Sequence, residues 1–185
     1  MSEVEQTGQA GQAGPGERAG AGAAEPVVVV GVDGSESSVL ALRWGAHLAA
    51  ASGARTLVVG VWEAYSAFGL VGEGWSALPP DWDPEKIVHT EVRHVVAHVY
   101  GNDLPPGVEV RFEQGNVARV LLDLSADAVA LVVGSRGQGG FASLLLGSVS
   151  AACAAHATCP VLVVHGDRPP PTAPSVAGRE AGSGG

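Results

Sequence analysis

Residues 128–150 read AVALVVGSRGQGGFASLLLGSVS. The first seven are an unbroken run of small and β-branched apolar residues ending in Gly134, the pattern of a strand buried on both faces. A loop holding Gly137, Gly139 and Gly140 follows, and then Gly147-Ser148-Val149-Ser150 opens a helix to about Ala157. Strand, glycine-rich turn and helix start, in that order, belong to a parallel sheet with helical crossovers. The same grammar recurs on either side. Pro26–Asp33, PVVVVGVD, is a second doubly buried strand, turned by Gly34 and the N-cap Ser35 into a helix over about 36–51. Arg55–Trp62, Val108–Glu113 and Pro160–His165 supply three more strands. Asp83-Pro84 caps and starts a helix reaching about Tyr100. Asn116 caps a short helix whose apolar stripe is Val117, Val120, Leu121 and Leu124. The order βαβαβαβαβ predicts an α/β fold of three layers, a five-stranded, mostly parallel open sheet with helices on both faces.

Composition narrows the partners. The chain has 185 residues, 46% hydrophobic but only 5% aromatic, so its core is built from Val, Leu and Ala. Asp+Glu number 19 against Lys+Arg 10, for a net charge of −9. No basic stripe is present to neutralise a nucleic-acid backbone, and an anionic membrane surface repels such a chain. Lys86 is the single lysine, so there is no Walker lysine and no Schiff-base lysine to spare. Cys153 and Cys159 make neither a CxxC nor a disulfide framework, as expected of a reduced cytoplasmic protein. No apolar run approaches the roughly 18 residues of a membrane helix, and the N-terminus is not a secretory signal. The Gly-, Ala- and Gln-rich residues 1–25 and the tail 167–185 are expected to be disordered, flanking one domain over 26–166.

In an open parallel sheet, ligands bind beyond the carboxyl ends of the strands where the winding reverses. The two wholly apolar strands, 27–32 and 128–133, are the natural central pair, delivering Asp33 and Gly134 to one crevice. Gly134, Gly137, Gly139, Gly140 and Gly147 let backbone approach a ligand without a Cβ in the way. The helix start at Gly147 offers free amides and a dipole that attract anions, with Ser148 and Ser150 as hydroxyl donors. Each backbone donor to a charged group contributes about 1.5–3 kcal/mol, so several suffice without a lysine.

The spacing G-x2-G-x9-G followed by Ser or Thr is met by Gly134, Gly137, Gly147 and Ser148. With VGVDGS at 30–35 and CPVLVV at 159–164, the chain resembles the ATP-binding universal stress proteins over roughly residues 26–166. The resemblance implies an adenine-nucleotide α-hydrolase-like, Rossmann-like fold and an ATP site. In that site Gly31, Val32 and Asp33 flank the adenosine, Val61 lies along the adenine and Val117 borders the base. Gly134, Ser135, Arg136, Gly137, Gln138, Gly139 and Gly140, with Gly147, Ser148, Val149 and Ser150, hold the phosphates. Magnesium accompanies the ATP, near Asp33. The resemblance also implies a homodimer through the last strand (Val161, Leu162, Val163, Val164), whose uncharged edge would otherwise invite aggregation.

Competing roles remain open for several of these residues. Asp33 either meets a ribose hydroxyl or bound cation, or simply caps the following helix. The glycine loop is either a phosphate cradle or a tight packing turn. Glu91, His94 and His98 share a helix face, either as a zinc site or as a solvated surface. Trp62, Tyr65, Trp75 and Trp82 either form a lid or cover the sheet edge. The expected function is an ATP-binding regulatory protein of the stress response, hydrolysing ATP slowly at most, since no general base or arginine finger is evident. The alternative is a scaffold of the same fold that works by protein contacts without nucleotide. GxxxxGK[ST], GxSxG and SGGxDS motifs are all absent, which weighs against an ATP-using enzyme.

Overall fold

A computed structural model of the chain describes residues 25–63, 82–138 and 146–171. The elements alternate as β1 (Val27–Gly31), α1 (Glu36–Ser52), β2 (Arg55–Trp62), α2 (Pro84–Tyr100), β3 (Val108–Gln114), α3 (Val117–Leu124), β4 (Ala130–Gly134), α4 (Ser148–His156) and β5 (Val161–Val164). All four strand pairings are parallel, and the sheet order is β3-β2-β1-β4-β5. The chain winds outward from β1 in one direction through β2 and β3. It then crosses back to β4 and continues outward to β5, so the winding reverses between β1 and β4, the pair expected at the centre. β4 begins two residues later than its apolar run, because Ala128 and Val129 are still in the turn that leads into it. The Val129 amide already reaches Val27 O at 2.8 Å.

Strand alternation sorts the core into two layers. Val28, Val30, Val58 and Val132 face α1 and α2, packing with Leu42, Val92 and Val95. Val29, Leu57, Val59, Leu131 and Val133 face α3 and α4, packing with Leu121 and Cys153. Val28, Val29 and Val30 are all completely buried, one to each side in turn. Full burial of such a side chain contributes about 1.5–3 kcal/mol. Close helix–sheet approach depends on two glycines. A Cβ on Gly45 of α1 would collide with Val30, and one on Gly60 of β2 would lie 2.7 Å from Val92 Cγ2.

Local signals set the helix ends. Ser35, Asp83 and Asn116 each accept an amide of the first turn through their side chains, at Ser38, Lys86 and Arg119 respectively. Gly53 closes α1 in the left-handed region, at φ 65°. Beyond β5 the chain folds back on α1, where Trp44 Nε1 donates to Arg168 O at 3.1 Å. Among the described residues no helix is long and apolar enough to cross a membrane.

Candidate functional site

At the carboxyl ends of β1 and β4 lies a cavity of about 640 Å³. Its walls are supplied by Gly31, Val32 and Asp33 after β1, Val61 on β2, Val117 on α3, Gly134, Arg136, Gly137 and Gln138 after β4, and Gly147, Ser148, Val149 and Ser150 at the start of α4. Gly139 and Gly140 lie outside the described residues. Ser135 does not reach the cavity. It is buried, its amide donating to Val164 O at 2.7 Å and its carbonyl accepting the Gly147 amide at 2.7 Å.

The glycines have a packing reason of their own. A Cβ on Gly134 would lie 2.5 Å from Ser37 Oγ and 2.9 Å from the Ser37 carbonyl carbon, so β4 could not pass α1 at this distance. One on Gly137 would lie 2.5 Å from Asp33 Oδ2. Gly147 differs. Its φ is −73°, and an added Cβ would approach nothing nearer than Arg136 Cα at 3.5 Å. The protein itself leaves room for a side chain there.

Asp33 ties the two sides of the crevice together. Its Oδ1 accepts the Ser35 amide at 3.1 Å and the Ser35 hydroxyl at 2.7 Å, and its Oδ2 accepts the Gln138 amide at 3.0 Å. The Ser37 hydroxyl donates across the same gap to Arg136 O. The turn after β1 thus grips the turn after β4 by side-chain to backbone bonds. Gly147 caps α4 without any side-chain hydrogen bond, leaving first-turn amides beside the exposed Ser148. Ser150, expected to offer its hydroxyl outward, turns it inward to Ser135 O at 2.9 Å and Gly147 O at 3.0 Å. It braces the helix start against the loop.

The opposite wall is apolar. Val61, Val117 and Val149 are joined there by Val59, Leu121 and Val133, residues that the sequence places on strands and on the apolar stripe of α3 without pointing to the site. Their spacing carried the signal, since Val59 lies two residues before Val61 on the same strand face and Leu121 four after Val117 on the same helix face. Ser38 also borders the cavity. A further residue was missed altogether. Glu63, just past β2, accepts Asn116 Nδ2 at 3.2 Å and the Val117 amide at 3.3 Å, capping α3 beside the cavity. Apolar wall, uncapped helix start and loop amides make a site that fits a flat heterocycle at one end and an anion at the other. Among the described residues its lining holds two ionisable side chains, Asp33 and Arg136, and no histidine.

The other candidate clusters do not converge on this crevice. Trp62 packs edge-on to His89, which stacks on Phe112 with ring centres 3.8 Å apart, over the α2 layer. Tyr65 and Trp75 lie outside the described residues. His98 Nε2 meets Arg43 Nη2 at 3.2 Å, and Glu91 packs against Gly34. Among the described residues no group of three His, Cys, Asp or Glu side chains is arranged to hold a metal ion.

Comparison with known proteins agrees with this fold. A universal stress protein from Mycolicibacterium smegmatis is 34% identical over 152 residues, covering 78% of this chain and 50% of that protein. Universal stress protein Rv2623 of Mycobacterium tuberculosis is 33% identical over 144 residues, covering 75% and 47%. The chain thus spans about half the length of the curated relatives it matches. Among solved structures, universal stress protein UspA from Lactobacillus plantarum superposes with a TM-score of 0.57 at 17% identity, covering 76% of this chain and 97% of its own. A universal stress protein solved in complex with cAMP gives 0.51 at 29% identity, with the same coverage. The model of the universal stress protein family matches residues 26–165. On the strength of that match, with the fold and crevice just described, the chain belongs to the universal stress protein family.

Proposed function

We propose that the crevice between β1 and β4 binds an adenine nucleotide, ATP with magnesium among them, and that the chain works as a nucleotide-dependent regulatory protein of the stress response in the cytoplasm. The observation that carries this is the coincidence of the glycine spacing with the cavity. Gly134, Gly137, Gly147 and Ser148 all line it, at the switch point where ligands of such sheets bind. A relative's complex with cAMP supports the same ligand class. The adenine would lie along Val61 and Val117, the ribose by Gly31 and Asp33, and the phosphates at α4 and the loop, Gly139 and Gly140 included. Arg136 would pair with a phosphate, and a magnesium ion would sit near Asp33. Among the described residues the lining offers no histidine to activate a water, which supports slow hydrolysis at most. A second copy pairs through β5, whose residues are uncharged and mostly half-buried.

Calorimetric titration with ATP and magnesium chloride tests the reading. Binding with a micromolar Kd is expected. Because a Cβ on Gly147 finds room within the protein, Gly147→Ala keeps the fold, and its methyl group meets the ligand instead. It should weaken binding about tenfold or more, a cost of roughly 1.4 kcal/mol. No binding at millimolar ATP refutes the reading and favours the scaffold. Light scattering at micromolar concentration that gives a monomer mass refutes the dimer.

A further inference from the structure

After Val164, the last residue of β5, the chain runs His165-Gly166-Asp167-Arg168-Pro169-Pro170-Pro171. Proline has no N–H, so this run cannot go on donating to a neighbouring strand; over its prolines it offers carbonyls and no amides. The ring fixes φ at about −65°, and a residue ahead of a proline is pushed to extended backbone. Such a run favours the polyproline form and loses little entropy when it docks. Gly166, at φ 77°, turns it away from the sheet. The turned segment meets α1, where the Trp44 indole N–H donates to Arg168 O at 3.1 Å. Pro170 is half-buried, while Arg168, Pro169 and Pro171 are exposed.

The receiving side complements it. An indole N–H is a donor only, opposite a segment that supplies acceptors. Trp44 packs against the core layer between the sheet, α1 and α2, and the His47 ring stands edge-on to it with centres 6.0 Å apart at 82°. A ring held by the core and by a second ring beside it is a rigid aromatic platform. Proline-rich segments dock on such platforms, where a pre-formed shape and a carbonyl are read together. We infer that the Trp44–His47 face of α1 is a receptor for a proline-rich segment, filled in this structure by the chain's own Arg168–Pro171 strap and open to the same sequence from outside once the strap is released. Tethering favours the internal strap, because a short link supplies an effective concentration on the order of millimolar. None of these residues lines the crevice between β1 and β4, so the inference stands apart from the nucleotide reading.

Solvent exchange of indole N–H groups in the full chain, read by NMR, tests it. Trp44→Phe removes one of the four indole signals and so identifies it, and Overhauser contacts with His47 identify it independently. That proton should be protected from exchange. Gly166→Val finds open space for its side chain but is strained at φ 77°, and should lower the protection roughly five- to thirtyfold. Replacing both Pro170 and Pro171 by glycine, outside the core clusters, should lower it about tenfold or more by freeing the strap. Added to that double variant at millimolar concentration, a capped peptide of residues 165–171 should restore the protection and move the Trp44 signal back. The same peptide with alanine for each proline should do neither. A Trp44 proton that exchanges as fast as free indole overturns the receptor. So does a peptide that leaves the signal unmoved at about ten millimolar, or equal rescue by the alanine peptide, which would mean that any acceptor chain serves.

Discussion

Gly137→Ala should destabilise the fold through one identified atom. An added Cβ would stand 2.5 Å from Asp33 Oδ2, a separation that real Cβ atoms essentially never show, so the carboxylate must swing away. The first bond lost is the one from the Gln138 amide to Oδ2 at 3.0 Å. A larger swing also loosens the two bonds that Oδ1 accepts from Ser35. Hydrogen bonds to a charged group contribute about 1.5–3 kcal/mol. Asp33 is exposed, so solvent takes up part of that, and the expected cost is about 1–2 kcal/mol. For a chain of this size it corresponds to a fall in Tm of roughly 2–8 °C. The assay is a double-mutant cycle in urea with Asp33→Ala as the second change. With the carboxylate gone the methyl group meets nothing, so most of the cost of Gly137→Ala should disappear in that background. Equal costs in the two backgrounds would show that Asp33 does not hold the loop and would refute the argument.

Other expectations follow from the same contacts. Leu131→Ala, removing a wholly buried side chain from the α3–α4 layer, should cost about 2–5 kcal/mol in urea unfolding. Gly60→Ala would drive a methyl group to 2.7 Å from Val92 Cγ2 and 3.2 Å from Phe112 Cδ1, and should cost about 1–3 kcal/mol by overpacking between β2 and α2. A cost below about 0.5 kcal/mol for either would contradict the packing described. Alkali should destabilise the protein. Burial, and then the neighbouring Cys159, push the Cys153 thiol up from 9.0, and burial pushes the Tyr100 phenol up from 10.0. Both groups are neutral when protonated, so their contribution is complete below pH 9 and falls as pH rises past their unfolded values. Urea midpoints from pH 7 to 11 should decline, and Cys153→Ala should flatten the first part of that decline.

Much of the architecture was legible because parallel sheets write themselves as apolar runs. Val28–Val30 and Leu131–Val133 have no polar residue to mark one face as solvent, and that alone paired β1 with β4 and set the crevice between them. Caps were equally plain at Ser35, Asp83 and Asn116. Side-chain direction was not. Nothing in GSVS says that the second serine points back into the loop, because hydroxyls beside a turn find partners on either side. Gly134 and Gly137 were legible as glycines, but the atoms that exclude a Cβ, on Ser37 and Asp33, lie about a hundred residues away in the chain. Glu63 escaped notice for the same reason, since its partners Asn116 and Val117 become neighbours only when β2 and α3 are packed together.

The two margins of the sheet are unlike. β3 carries Glu109, Arg111 and Glu113 on one face, with Glu109 bridging Arg55 at 2.8 Å and Arg111 at 3.0 Å. β5 carries no charge at all. A newcomer strand finds its place at the second margin and meets fixed ions at the first. In the proposed pair joined at β5, the sheet margin left on each copy would be the charged β3. Charge on an outer strand disfavours the addition of further strands there.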